Sequence, residues 1–205
     1  MSIINIVFGG LGGAIITAFV AYYIYLKSKK PPTGKAYEIL KGLGKVLREP
    51  EGEYYFTRSA DDNFHVANHI YSHADGEIIA TAFHEDPSTY GERDLARSFK
   101  YGGSLFSRIT CEEVCGSESE KKARELLSNI LKGSTLSVIP KGEAITRMDG
   151  IFCRLSDDTH LSFVAFRHPK DPSRNKGVIF SDRGDGIARS FFEYYQAIIE
   201  KYANS

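Results

Sequence analysis

Tryptophan is absent from the 205 residues, methionine occurs twice and cysteine three times. Three cysteines are too few for a disulfide-stapled scaffold, and an odd number leaves at least one thiol unpaired. Net charge is also absent, since 26 Lys and Arg balance 26 Asp and Glu. That balance argues against a dedicated nucleic-acid coat, and 42% apolar residues argue against a disordered polymer. No glycine-rich phosphate loop with its lysine, no Ser-x-x-Lys and no G-x-S-x-G occurs. Internal repeats and low-complexity runs are missing too. What remains is enough chain for one ordinary domain beside a single long apolar run.

That run covers residues 4–26, which carry no charge and one strongly polar residue, Asn5. As an α-helix, 23 residues span a hydrocarbon core of about 30 Å. Nothing basic precedes it, unlike a secretory leader. Tyr22, Tyr23 and Tyr25 follow as an interface belt, then Lys27, Lys29 and Lys30. The positive-inside rule puts that cluster, and the chain after it, in the cytoplasm with the N-terminus outside. Thiols there stay reduced. Gly9, Gly13, Thr17 and Ala21 recur at four-residue spacing and form a candidate dimer face within the membrane, weighed equally against the general abundance of glycine in spanning helices.

Residues 27–49 form a basic linker in which seven Lys and Arg stand against two Glu, a net of +5 that leaves −5 for the rest. Each basic residue near anionic lipid headgroups adds about 1 kcal/mol of attraction. Pro31 and Pro32 break any helix leaving the bilayer. Tyr37, Leu40, Leu43 and Leu47 then mark a short amphipathic helix, expected to pack on the domain rather than lie on the membrane.

Residues 50–203 are expected to form one cytoplasmic α/β domain with a mixed sheet covered by helices. Strands are expected at 53–57, 77–83, 105–110, 134–139, 143–148, 151–155, 160–167 and 177–180. Helices are expected at 61–74, 92–99, 117–131 and 186–202, the last capped by Asp185. Asp149 and Gly150 read as a hairpin turn, and Ser156 to Asp158 as the next turn.

Several constellations invite chemistry. His65, His69 and His73 share one helix, but the outer two lie about 12 Å apart along the axis, too far to close on one ion, so a solvated polar face is favoured. Cys111 and Cys115 have no second pair with zinc spacing, and Cys153 sits within a strand. No metal and no cofactor is assigned. His84, Glu85 and Asp86 follow a buried strand, where open α/β sheets often bind ligands. His168, Lys170 and Asn175 mimic a phosphodiesterase spacing inside an exposed, proline-rich loop.

The succession EIIATAF, LFSRIT, STLSVIP, a hairpin region, GVIF and the helix IARSFFEYYQAII resembles the phospholipase D-like superfamily over about residues 50 to 203. The resemblance implies a degenerate phospholipase D-like domain, here following the expected membrane anchor. The family's catalytic unit is H-x-K-x4-D, and active members join two copies to form and resolve a phosphohistidine. The comparable strands here, ITRMDGIFCRL and THLSFVAF, carry no H-x-K. The resemblance therefore implies the fold and a vestigial pocket for an anionic ligand, without the catalytic unit.

The leading expectation is a single-pass membrane protein with a non-catalytic cytoplasmic binding, sensor or scaffold domain. Its expected partners are the lipid bilayer, anionic headgroups, a second copy through the membrane helix, and a protein or small molecule, with no dedicated nucleic-acid binding. The alternative is a phosphodiesterase or phospholipase-like enzyme near the membrane. It would use His84 or His160 with Arg147, Arg154 and Arg167, which form a charge inventory rather than a demonstrated site.

Overall fold

A computed structural model describes residues 34–44, 54–57, 59–83, 105–117, 121, 125, 135–166, 170–171, 175–183 and 186–202. The expected membrane helix 4–26 with its dimer face Gly9, Gly13, Thr17 and Ala21 lies outside the described residues. So do the helix expected at 92–99, nearly all of that expected at 117–131, the cap Asp185, and His84, Arg167 and His168. Among the described residues no helix is long and apolar enough to cross a membrane.

The elements run α1 (Lys35–Gly42), β1 (Tyr54–Phe56), α2 (Ala60–His73), β2 (Glu77–Ala82), β3 (Leu105–Cys111), α3 (Glu112–Cys115), β4 (Thr135–Ile139), β5 (Asp149–Arg154), β6 (Thr159–Phe166), β7 (Lys176–Arg183) and α4 (Ile187–Tyr202). The described strands form one sheet in the order β1-β7-β6-β5-β2-β3-β4. Pairing is parallel for β2–β3–β4 and antiparallel elsewhere, which makes the sheet mixed as expected.

Alternation along the strands splits the core in two, because successive side chains point to opposite faces. Ile78, Ala80, Cys153, Leu161 and Ile179 pack with α1 and α2 on one face. Ile79, Ile109, Phe152 and Val164 pack with Phe192, Tyr195 and Ile198 of α4 on the other. The phenol of the fully buried Tyr195 donates to the Thr146 carbonyl at 3.1 Å. Burial pushes its pKa far up, so it remains a donor.

Helix α2 starts at Ser59, whose hydroxyl accepts from the Asp62 amide at 3.2 Å while the Asp62 carboxylate accepts from the Ser59 amide at 2.8 Å. Helix α1 packs on the domain, as expected, but through Ala36, Ile39, Leu40 and Leu43, while Tyr37 faces out. The helical stripe is rotated because the hairpin β5–β6 fixes the helix N-terminus. The Asp157 carboxylate accepts from the Lys35 amide at 2.9 Å, and Thr159 Oγ1 from the Ala36 amide at 3.3 Å. Lys35 Nζ also binds Asp75 and Ser156. Gly34 meets this corner with φ 93°, where a Cβ would lie 2.4 Å from Asp157 Oδ2.

Two sequence expectations are corrected here. Residues 143–148 are not a strand: the Thr146 amide donates to the Tyr194 hydroxyl at 2.8 Å and its carbonyl accepts from Tyr195. The segment therefore spends backbone groups on α4 instead of a sheet neighbour. Asp149 and Gly150 are not a turn but the first residues of β5. Glycine is needed at 150 for close approach, since a Cβ would lie 2.6 Å from the Phe163 carbonyl oxygen on β6.

Candidate functional site

The hairpin β5–β6 turns through Ser156 to Asp158, with Asp158 in the left-handed region at φ 62°. This sets the register in which Arg154 on β5 faces His160 on β6. Across the neighbouring strands, Glu77 on β2 faces Arg154, and Asp182 on β7 faces His160 by backbone register. Residues directly opposed in a sheet share a face. Here it is the α4 face, because the His160 ring meets Phe192 edge-on at 5.7 Å between centroids.

His160 is 2% exposed. Burial is the largest influence on its imidazole and pushes the pKa below its ordinary value. Asp158 and Glu193 pull upward, Arg189 and Arg154 push further down, and the net direction is down. The ring is therefore neutral near pH 7. Its Nδ1 is buried with no hydrogen-bond partner among the described residues. An unmet buried polar atom of this kind costs roughly 1–3 kcal/mol, a cost that binding and catalytic groups commonly carry until a ligand meets them.

Arg154 Nη2 reaches Glu77 Oε1 at 2.5 Å, and its guanidinium carbon lies 5.6 Å from the Phe192 ring centroid. On α4, Arg189 Nε reaches Glu193 Oε1 at 2.7 Å. Two residues beyond His160, the Ser162 hydroxyl donates to the Ala188 carbonyl at 3.1 Å and ties β6 to the start of α4. The result is a neutral imidazole with an unmet nitrogen, acted on by two guanidinium groups, of which that of Arg154 lies over the Phe192 ring. Such a set suits an oxyanion such as a phosphate.

The structure brings His160 and Arg154 together. Arg147 does not join them. It precedes β5, at the opposite end of that strand from Arg154, about 20 Å away in extended chain. There it pairs with Glu113 at 3.3 Å. The pair Glu113 and Arg147 flanks Cys111, whose thiol is fully buried; burial first, then the Glu113 carboxylate, pushes its pKa up and leaves it unreactive. Cys153 is likewise buried, and desolvation pushes its thiol far above the usual range. Sequence reasoning missed Arg189, Glu193 and Phe192 because they join the site only through the packing of α4. Glu77 likewise joins only through the pairing of β2 with β5. The three-residue spacing of Arg189 and Phe192, which puts them near one another on a helix, was the signal available.

Of the α2 histidines, His65 and His73 are exposed, as a solvated polar face requires, and His69 departs from it. His69 is half-buried and donates from Nε2 to the Ile39 carbonyl of α1 at 2.9 Å. His73 donates from Nδ1 to the His69 carbonyl at 2.8 Å. Burial, then the neighbouring His73, lowers the His69 pKa. Among the described residues no group of three or more His, Cys, Asp or Glu is arranged to hold a metal ion.

No family model and no curated protein matches this chain. Solved structures do. TrmBL2, an archaeal chromatin protein with a novel mode of DNA binding, is similar at a TM-score of 0.51 and 12% identity, over 94% of this chain and 67% of its own. NucT from Helicobacter pylori is similar at a TM-score of 0.50 and 13% identity, over 74% of this chain and 99% of its own. Yeast tyrosyl-DNA phosphodiesterase matches at a lower TM-score of 0.43 and 14% identity, over 71% of this chain and 37% of its own. The fold is phospholipase D-like, as the sequence resemblance implies. The expectation of no dedicated nucleic-acid binding is corrected, because the fold is shared with a DNA-binding chromatin protein. Overall charge balance does not report on a local cluster such as Arg154 and Arg189.

Proposed function

We propose that this chain is a phosphodiester-binding domain whose ligand is nucleic acid, and that His160 faces the bound phosphate. One observation carries the reading: an almost fully buried, neutral imidazole with an unmet Nδ1 lies against Phe192 and opposite Arg154 in the sheet. A neutral ring whose Nδ1 carries its proton donates a hydrogen bond to a phosphate oxygen there without bringing a charge into the core. The likeness to a DNA-binding protein supports nucleic acid as the ligand class.

A second reading, hydrolysis of the same phosphodiester, has its own support. His160 is on the strand after the hairpin turn, where the family resemblance implies the first histidine of H-x-K. The residue two positions on is Ser162, whose hydroxyl is engaged by Ala188, so no lysine supplies the positive charge a phosphoryl transfer uses. Binding without turnover is therefore the reading the geometry favours.

The full chain, purified in mild detergent, is titrated into fluorescent single-stranded and duplex DNA, with anisotropy for binding and mass spectrometry for products. Retention that falls at least tenfold in His160→Ala, with the DNA intact, is the expected result. Strand cleavage lost in the same variant establishes the hydrolytic reading instead. No retention of either DNA overturns both.

A further inference from the structure

Phe192 is the hub of the site. The His160 ring meets it edge-on, the Arg154 guanidinium lies near its ring, and Arg189 stands three residues before it on α4. Residues three apart on a helix are neighbours on its surface, so Arg189 flanks the hub from the helix as Arg154 does from the sheet. Each guanidinium is met by a carboxylate, Glu77 for Arg154 and Glu193 for Arg189. The arginine side chains are 41% and 37% exposed and the glutamates 32% and 57%. Ion pairs this exposed contribute little to stability and are readily exchanged. Guanidinium, by contrast, matches phosphate oxygens two at a time.

Charge decides what can enter. Arg154 and Arg189 stand against Glu77, Glu193 and Asp158, with His160 uncharged beside them, so the cluster holds no net positive charge in the free protein. An incoming phosphodiester is attracted by the arginines and repelled by the glutamates, so it gains most when the carboxylates swing away. We propose that Arg154 and Arg189 form a paired phosphate clamp beside His160, latched in the free protein by Glu77 and Glu193, and that two phosphates of a nucleic-acid strand open it by replacing the carboxylates, one at each arginine. The clamp rests on the binding function proposed above and assigns its phosphate-reading residues. The orphaned, almost fully buried Nδ1 of His160 is the independent sign that a ligand group belongs between them.

The test is a salt titration of single-stranded DNA binding by the full chain. A clamp on two phosphates gives a slope of log K against log salt of roughly −1.4. Arg189→Gln is expected to weaken binding about tenfold and to flatten the slope by about 0.7. Arg154→Gln does the same, and Arg189→Lys, which keeps charge but loses the fork, falls between. Glu193→Gln, and more so Glu77→Gln with Glu193→Gln, tightens binding several-fold by removing the latch. DNA retained in a His160-dependent manner, with Arg154→Gln and Arg189→Gln at wild-type affinity and slope, overturns the clamp and leaves the binding function standing. No DNA retained by the wild type overturns both. Should Arg154→Gln fail to fold, the helix-surface variants Arg189→Gln and Glu193→Gln distinguish these outcomes by themselves.

Discussion

His160 couples the site to pH. In the folded chain burial holds its pKa below the ordinary 6.5. As pH falls below about 6.5 the unfolded chain takes up protons that the folded chain refuses, so stability is full above that value and is lost as pH falls through the lower folded pKa. His69 titrates in the same direction for the same first cause, burial. Urea midpoints at about pH 7.5 and about pH 5.5 are expected to show a loss of stability in the wild type and a smaller loss in His160→Gln, which keeps only the His69 part. Equal losses in both proteins would show that the imidazole is not held neutral by the fold. At this scale the sequence identified His160 and Arg154 as candidates, but its inventory also contained Arg147, which lies beyond the far end of the strand. Nothing local to an arginine reports which end of a sheet it will occupy.

Among elements, α1 is the one whose presence depends on others. A helix of eight residues is too short to be stable alone. Its three buried residues, with Leu43 just beyond its end, pack against α2 and the sheet, and its first amides are satisfied by the hairpin that also places His160. Burial by itself would raise the Asp157 carboxyl, but hydrogen bonds from Thr159 and the Lys35 amide outweigh it and hold the pKa below the ordinary value. Its contribution is thus present above about pH 4 and lost on further acidification. Asp157→Ala is expected to cost about 1–2 kcal/mol and to speed amide exchange in α1, leaving α4 protected. Unchanged exchange in α1 would mean that apolar packing alone holds the helix. The amphipathic repeat announced this helix in the sequence; its rotation was not legible, because the corner that sets it comes from residues more than 120 positions away.

For the whole molecule, residues 34–205 form one compact unit, distinct from residues 1–33. We infer from the uncharged run 4–26 and the lysines that follow that this unit is tethered at the cytoplasmic side of a membrane. The full chain is expected to stay with the membrane pellet through an alkaline carbonate wash, and to be released once two leucines of that run, Leu11 and Leu26, are replaced by Asp. Release of the wild type by carbonate would refute the tether. A tether of this kind concentrates a weak binder: two phosphate contacts give modest affinity in solution, and confinement near a surface raises the effective concentration of whatever is held there.

Side-chain spacing alone marked out strands and helices wherever one period dominated, as at β2, α2 and α4. The chain also announced, without its fold, that no H-x-K lies on the strands that resemble the catalytic unit. Those are local properties, carried by repeats of two or of three to four residues. Long-range pairing supplied the rest. Asp149 and Gly150 look like a turn and are strand; residues 143–148 look like a strand and lie against tyrosines of α4. Glu77, Arg154 and His160, spread over 84 positions, fall into one line because β5 pairs with both β2 and β6 in a single register. A shift of that register by one residue would turn each side chain to the opposite face. The alternation read from a sequence gives faces but not partners, and the site depends on partners.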